Sequence, residues 1–96
     1  MIKDILEKLE TSENPVAQAI QKNDCGKTIV IAFKKGMILK EHKTETPAQL
    51  IVIKGSVTYR EKNHQEELSL YEEKNIPVGI LHSVEAKEDS LCLLFK

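Results

Sequence analysis

The sequence predicts an all-β barrel or sandwich carrying one short N-terminal helix, and three observations predict it. From Val16 onward, short β-branched and apolar runs recur at regular spacing with turn residues between them, about eight or nine in all. Ahead of them, Ile2, Ile5, Leu6 and Leu9 stand at i, i+3, i+4 and i+7, one stripe of an amphipathic helix. Within the strand-rich part lie two distinctive segments. GMILKEHKTETPAQLIVIKG runs from Gly36 to Gly55, and PVGILH runs from Pro77 to His82.

Each element follows from local chemistry. The helix occupies 1–10 and is too short to stand alone, so it must dock on the rest. Thr11-Ser12-Glu13-Asn14-Pro15 ends it with turn formers and a proline. Val16 to Gln21 is ambiguous between helix and strand. Asp24-Cys25-Gly26 is a turn, and Lys27 to Lys34 is a strand rich in β-branched residues. Lys35-Gly36 turns the chain into a strand from Met37 to His42, and Gln49 to Lys54 follows a polar loop. Ser56 to Glu61 and Glu66 to Tyr71 flank a hairpin tip at Lys62 to Gln65. Glu72 to Asn75 reads as a loop, His82 to Ala86 as a strand, and Leu91 to Phe95 as the last strand after the turn Lys87 to Ser90. Strand alternation puts Ala48, Leu50 and Val52 inside and leaves Ile51 and Ile53 outside beside Gln49. Two outward isoleucines call for a cover, either the helix or a second subunit.

Periodicity leaves jelly roll, Greek-key sandwich and small open barrel undecided; the motifs choose between them. Gly36, five residues, His42, and later Gly55, followed by Pro77-x-Gly79-x-x-His82, resemble the two-part signature of the cupin superfamily. The resemblance implies a double-stranded β-helix, a jelly-roll barrel with a ligand mouth at one end. It makes 16–96 the barrel of a single 1–96 domain, and it points to a homodimer. It also implies an interior divalent metal, held by two histidines and a glutamate from the first part and a histidine from the second. Four positions depart from the signature. Thr44 replaces the second histidine, Ala48 the glutamate, Tyr71 the opening glycine of the second part, and Ala86 its asparagine.

Those departures shape the expected site. A transition metal takes three or four strong donors, and only His42 and His82 remain as candidate ligands. Losing the glutamate also removes negative charge that would offset a dication in a low-dielectric cavity. Glu41 and Glu45 have the wrong parity on a regular strand, and Gln49 would need a bulge to reach inward. The expected cofactor is therefore none, or a weakly bound divalent transition metal on His42 and His82. The expected ligand residues are His42, Thr44, Tyr59 and His82, with Tyr59 sharing the parity of Val57. Three readings of the two histidines stay open: inherited interior residues bonded to each other or to water, polar anchors for an organic ligand, and ligands of a metal completed by water or substrate. Gly36 and Gly79 are expected to serve tight turns.

Composition narrows the function classes. The net charge is −1 and acidic residues interleave with the lysines, so no basic surface exists for nucleic acid. Tryptophan is absent and aromatics make up 4% of the chain, so no base-stacking platform is visible. Charged residues interrupt the first turn of the chain as they would not in a signal peptide, and no apolar run approaches a membrane span. A cytoplasmic, non-membrane protein with two free thiols is the expectation, Cys92 in the core and Cys25 in a turn. Ser83 and Ser90 belong to no recognisable triad. His64, at a polar hairpin tip, is expected to be exposed and without a role. The function expected is binding or sensing of a small molecule. The alternatives are a metal-dependent dioxygenase or isomerase with a reduced ligand set, and a structural or interaction dimer.

Overall fold

The computed structural model describes residues Met1–Lys96 as one helix followed by nine strands. Helix α1 spans Ile2–Glu10. The strands are β1 Val16–Asn23, β2 Gly26–Phe33, β3 Ile38–His42, β4 Ala48–Lys54, β5 Val57–Glu61, β6 His64–Leu68, β7 Glu73–Ile76, β8 His82–Ala86 and β9 Ser90–Phe95. They form two antiparallel sheets, one ordered β1-β2-β9-β4-β7 and the other β3-β8-β5-β6. The non-consecutive neighbours are the crossovers of a jelly roll.

The inner faces of the sheets meet in one core of 13 buried residues. Phe33, Leu50, Val52 and Cys92 come from the first sheet and Val57, Tyr59, Val84 and Ala86 from the second, each at most 1–2% exposed. Alternation in β4 and β9 is strict. Ala48, Leu50 and Val52 are buried and Ile51 and Ile53 half-buried outside, with Cys92 and Leu94 inside and Leu91 and Leu93 outside. Burial pushes the Cys92 thiol up to about 12, so it behaves as a small core residue. Cys25 is exposed in its turn, and both thiols are free.

A second, smaller core lies outside the first sheet, where Ile5 and Leu9 of α1 bury Val30 and Ala32. Val16, Ile20, Leu91 and Leu93 pack around it, but Ile51 and Ile53 do not. The helix thus covers the β1, β2 and β9 side of the sheet and stops short of β4. This resolves the docking of α1 and leaves the outer face of β4 half-covered.

Several sequence readings need correction. Glu73–Ile76 is a strand, not a loop: its polar side chains lie on a sheet edge, where backbone pairing to β4 outweighs propensity. The strand expected over Glu66 to Tyr71 ends at Leu68, because the chain must turn before β7. The hairpin tip shrinks to Lys62 and Asn63, with His64 already paired to Glu61. Val16 to Gln21 resolves as strand, extended to Asn23 by pairing with β2.

The backbone marks the places where the motif glycines matter. Gly36 and Gly79 have φ of +86° and +77° with open space where a side chain would sit, so conformation alone requires glycine there. Tyr71 holds φ +68° and is the one non-glycine residue with positive φ. It stands at the position where the signature has glycine.

Candidate functional site

His42 reaches the barrel interior through a backbone irregularity. On a regular strand it would share a face with Ile38 and Lys40, both of which are exposed. Between Leu39 and His42 the register slips: Lys40 and Glu41 on β3 oppose the single residue Ser83 on β8. This bulge turns His42 onto the face of Leu39, which packs on the core. His42 then pairs directly with His82 across the strands. The ring centroids lie 4.2 Å apart at an interplanar angle of 58°.

Both rings are oriented in the same way. His42 Nδ1–H donates to the Lys40 carbonyl at 2.7 Å, and His82 Nδ1–H donates to the Ile80 carbonyl at 3.0 Å. A carbonyl only accepts, so each Nδ1 carries the proton. The Nε2 atoms have no hydrogen-bond partner and, in the neutral rings, present lone pairs. His82 is 3% exposed. Burial first, and the neighbouring His42 and Lys96 in addition, hold its pKa below that of a free histidine; the carbonyl of Ile80 and Glu61 oppose this.

Tyr59 completes one wall. It is fully buried, its ring stacks 5.7 Å from that of His82, and its hydroxyl donates to Glu61 Oε2 at 2.7 Å. Desolvation and the Glu61 carboxylate raise the phenol pKa, so the proton stays on oxygen. Lys74 Nζ lies 5.3 Å over the ring centroid and pairs with Glu66 at 3.1 Å. Glu61 is the residue that sequence reasoning missed. Its signal was its parity with Tyr59 and Val57, two and four residues back on the same strand.

Thr44 is placed differently. It is 4% exposed, but its hydroxyl donates to the Thr46 carbonyl at 2.6 Å within its own loop. Its carbonyl accepts from Gly79 N–H at 3.0 Å, which ties the Pro77–Leu81 loop to the loop after β3. Gln49 is likewise engaged, with Glu73 and Asn75. His64 is exposed and pairs with Glu66 at 3.2 Å.

Two open clefts adjoin this end of the barrel. One of about 750 Å³ is lined by Lys22, Lys27, Lys43, Thr44, Glu45 and Lys96 among others. The other, about 770 Å³, runs between the start of β4, the end of β7 and the loop after it. Glu61, Lys74, Ile76, Val78 and Lys96 are among its walls. The histidine rings line neither cleft; Glu61 connects the second cleft to them, because it pairs with His82 across β5 and β8.

The metal implied by the motif is not matched by the side chains present. No group of three or more histidine, cysteine, aspartate or glutamate residues stands close enough to hold a metal ion. Two imidazoles fall short of a transition-metal donor set, and one oxygen of Glu61 is taken by the Tyr59 hydroxyl.

The fold is that of the cupins. An RmlC-like cupin from Desulfovibrio desulfuricans superposes with a TM-score of 0.80 at 17% identity, over 86% of this chain and 81% of that one. An uncharacterised protein with a double-stranded β-helix domain from Klebsiella pneumoniae gives 0.81 at 14%, over 95% and 84%. A cupin 2 conserved barrel domain protein from Leptotrichia buccalis gives 0.79 at 25%, over 94% of this chain but 44% of its own length. No family model and no curated protein matches the sequence. The double-stranded β-helix expected from the two motifs is therefore the architecture found.

Proposed function

We propose that the protein binds a small organic molecule at the mouth of the barrel, using His42 and His82 as polar anchors rather than as ligands of a resident metal. The observation that supports this reading is the matched state of the two rings. Each spends Nδ1–H on a backbone carbonyl and leaves Nε2 free, so two fixed acceptors sit side by side. Fixing the rings in advance reduces the ordering cost of binding. Neither Nε2 is a buried unsatisfied atom, so both remain open to a ligand or to water.

Imidazole ¹H–¹⁵N spectra of the purified protein, titrated with pools of polar metabolites, test the proposal. Shifts centred on His42 and His82 are expected. Perturbations confined to residues away from the barrel mouth, or none with any pool, overturn it.

A further inference from the structure

His42, His82 and Glu61 are aligned partners on three adjacent strands, β3, β8 and β5. Aligned partners in an antiparallel sheet point to the same face, with side chains about 5 Å apart. The row therefore presents two Nε2 atoms and a carboxylate in sequence along one rim of the barrel. Each member is fixed from behind, the imidazoles by backbone carbonyls and Glu61 by the buried Tyr59 hydroxyl. Glu61 Oε1 has no hydrogen bond, and Glu61 opens onto the cleft of about 770 Å³.

We infer that His42, His82 and Glu61 form a row of acceptors that selects a neutral, hydroxyl-rich ligand entering along this cleft. The inference rests on the binding site proposed above and adds its ligand class and a third residue. The walls carry both signs of charge, so neither an anion nor a cation is favoured outright and a neutral ligand meets the least opposition. Acceptors and a carboxylate repel an anion. Lys74 and Lys96 line the same cleft and disfavour a cation. A metal ion lacks a set of three donors close enough to hold it. Hydroxyl groups fit the row: each can donate to an Nε2 or a carboxylate oxygen, and neighbouring hydroxyls suit neighbouring strands. Ile76, Pro77, Val78 and Phe95 give the cleft an apolar side against which the C–H face of a polyol or sugar ring can pack.

The test uses three sets of probes on the whole protein, read by the imidazole resonances and the Glu61 carboxyl carbon. Myo-inositol, D-xylose and D-glucose represent hydroxylated neutrals; citrate and inorganic phosphate represent anions; Zn²⁺ represents the metal. The expected result is saturable shifts at His82, His42 and Glu61 with at least one hydroxylated probe. Glu61→Gln keeps shape and the Tyr59 contact but loses the charge, and it should weaken that binding about tenfold. Glu61→Ala should weaken it at least as much, and the unchanged fold of either variant is checked by its amide spectrum. Binding of anions or stoichiometric Zn²⁺ at the same rings, with no response to hydroxylated probes, overturns the ligand class and leaves the site standing. Full binding by both Glu61 variants removes Glu61 from the site. If no probe of any class moves the rings, the ligand class and the site fall together.

Discussion

Tyr71 shows how one residue records both the fold and a departure from its signature. The turn after β6 needs a left-handed residue, because Tyr71 N–H must reach the Val52 carbonyl at 2.7 Å while Val52 N–H reaches Glu72. A non-glycine residue in that conformation is strained by about 1 kcal/mol. The side chain is 75% exposed and so recovers little by burial. Tyr71→Gly removes that strain but adds about 0.5 kcal/mol of unfolded-chain entropy, so stability is expected to rise by no more than about 0.5 kcal/mol, read from the urea midpoint at unchanged slope. His82 carries the pH dependence. Its folded-state pKa is lowered, so the unfolded chain takes up the proton first as pH falls. Stability should be full above the unfolded-state value, near 6.5, decline below it and level off below the folded-state value. His82→Asn should flatten that decline in urea titrations across pH 5 to 8.

At the scale of elements, the helix stabilises the sheet more than itself. Ile5 is fully buried over Val30 and Ala32, although α1 has nine residues and no side-chain N-cap. Ile5→Ala should cost about 2–4 kcal/mol in chemical unfolding. An effect near zero would mean that α1 is detached in solution. The strands that could be read from sequence were those with apolar alternation. β8 was bounded correctly because His82, Val84 and Ala86 alternate with polar neighbours. β7 could not be read, since Glu73, Lys74 and Asn75 owe their strand state to pairing with β4 at a distance in sequence. The site was legible in the same uneven way. The resemblance to the two-part signature gave His42 and His82 as candidates, and parity gave Tyr59. The bulge that aims His42 inward, and the cross-strand alignment of Glu61 with His82, are properties of register that no local pattern states. The Thr44 hydroxyl was expected in the pocket, but the loop geometry ties it to Thr46.

For the whole molecule, the two faces of the first sheet pose different questions. The outer face of β4 leaves Ile51 and Ile53 half-buried beyond the reach of α1, while Leu6 remains 39% exposed on the helix. A second copy covering this face is proposed. Sedimentation at micromolar concentration should then show a dimer, and Ile51→Lys with Ile53→Lys should shift it to monomer without unfolding; a wild-type monomer would refute the assembly. The inner face is closed against the second sheet, whose β3 and β8 bring together His42 and His82 from motifs far apart in sequence. No helix is long and apolar enough to cross a membrane. The central claim is that the barrel holds Nδ1–H of both histidines on backbone carbonyls and leaves each Nε2 free as an acceptor. Long-range ¹H–¹⁵N correlation of the imidazoles near pH 7.5 tests it most directly, because the tautomer is read from the nitrogen shifts. Both rings should carry the proton on Nδ1 with Nε2 unprotonated, and His42→Ala should shift the titration of His82. Nε2–H tautomers, or a His82 that titrates identically with and without His42, would contradict the claim.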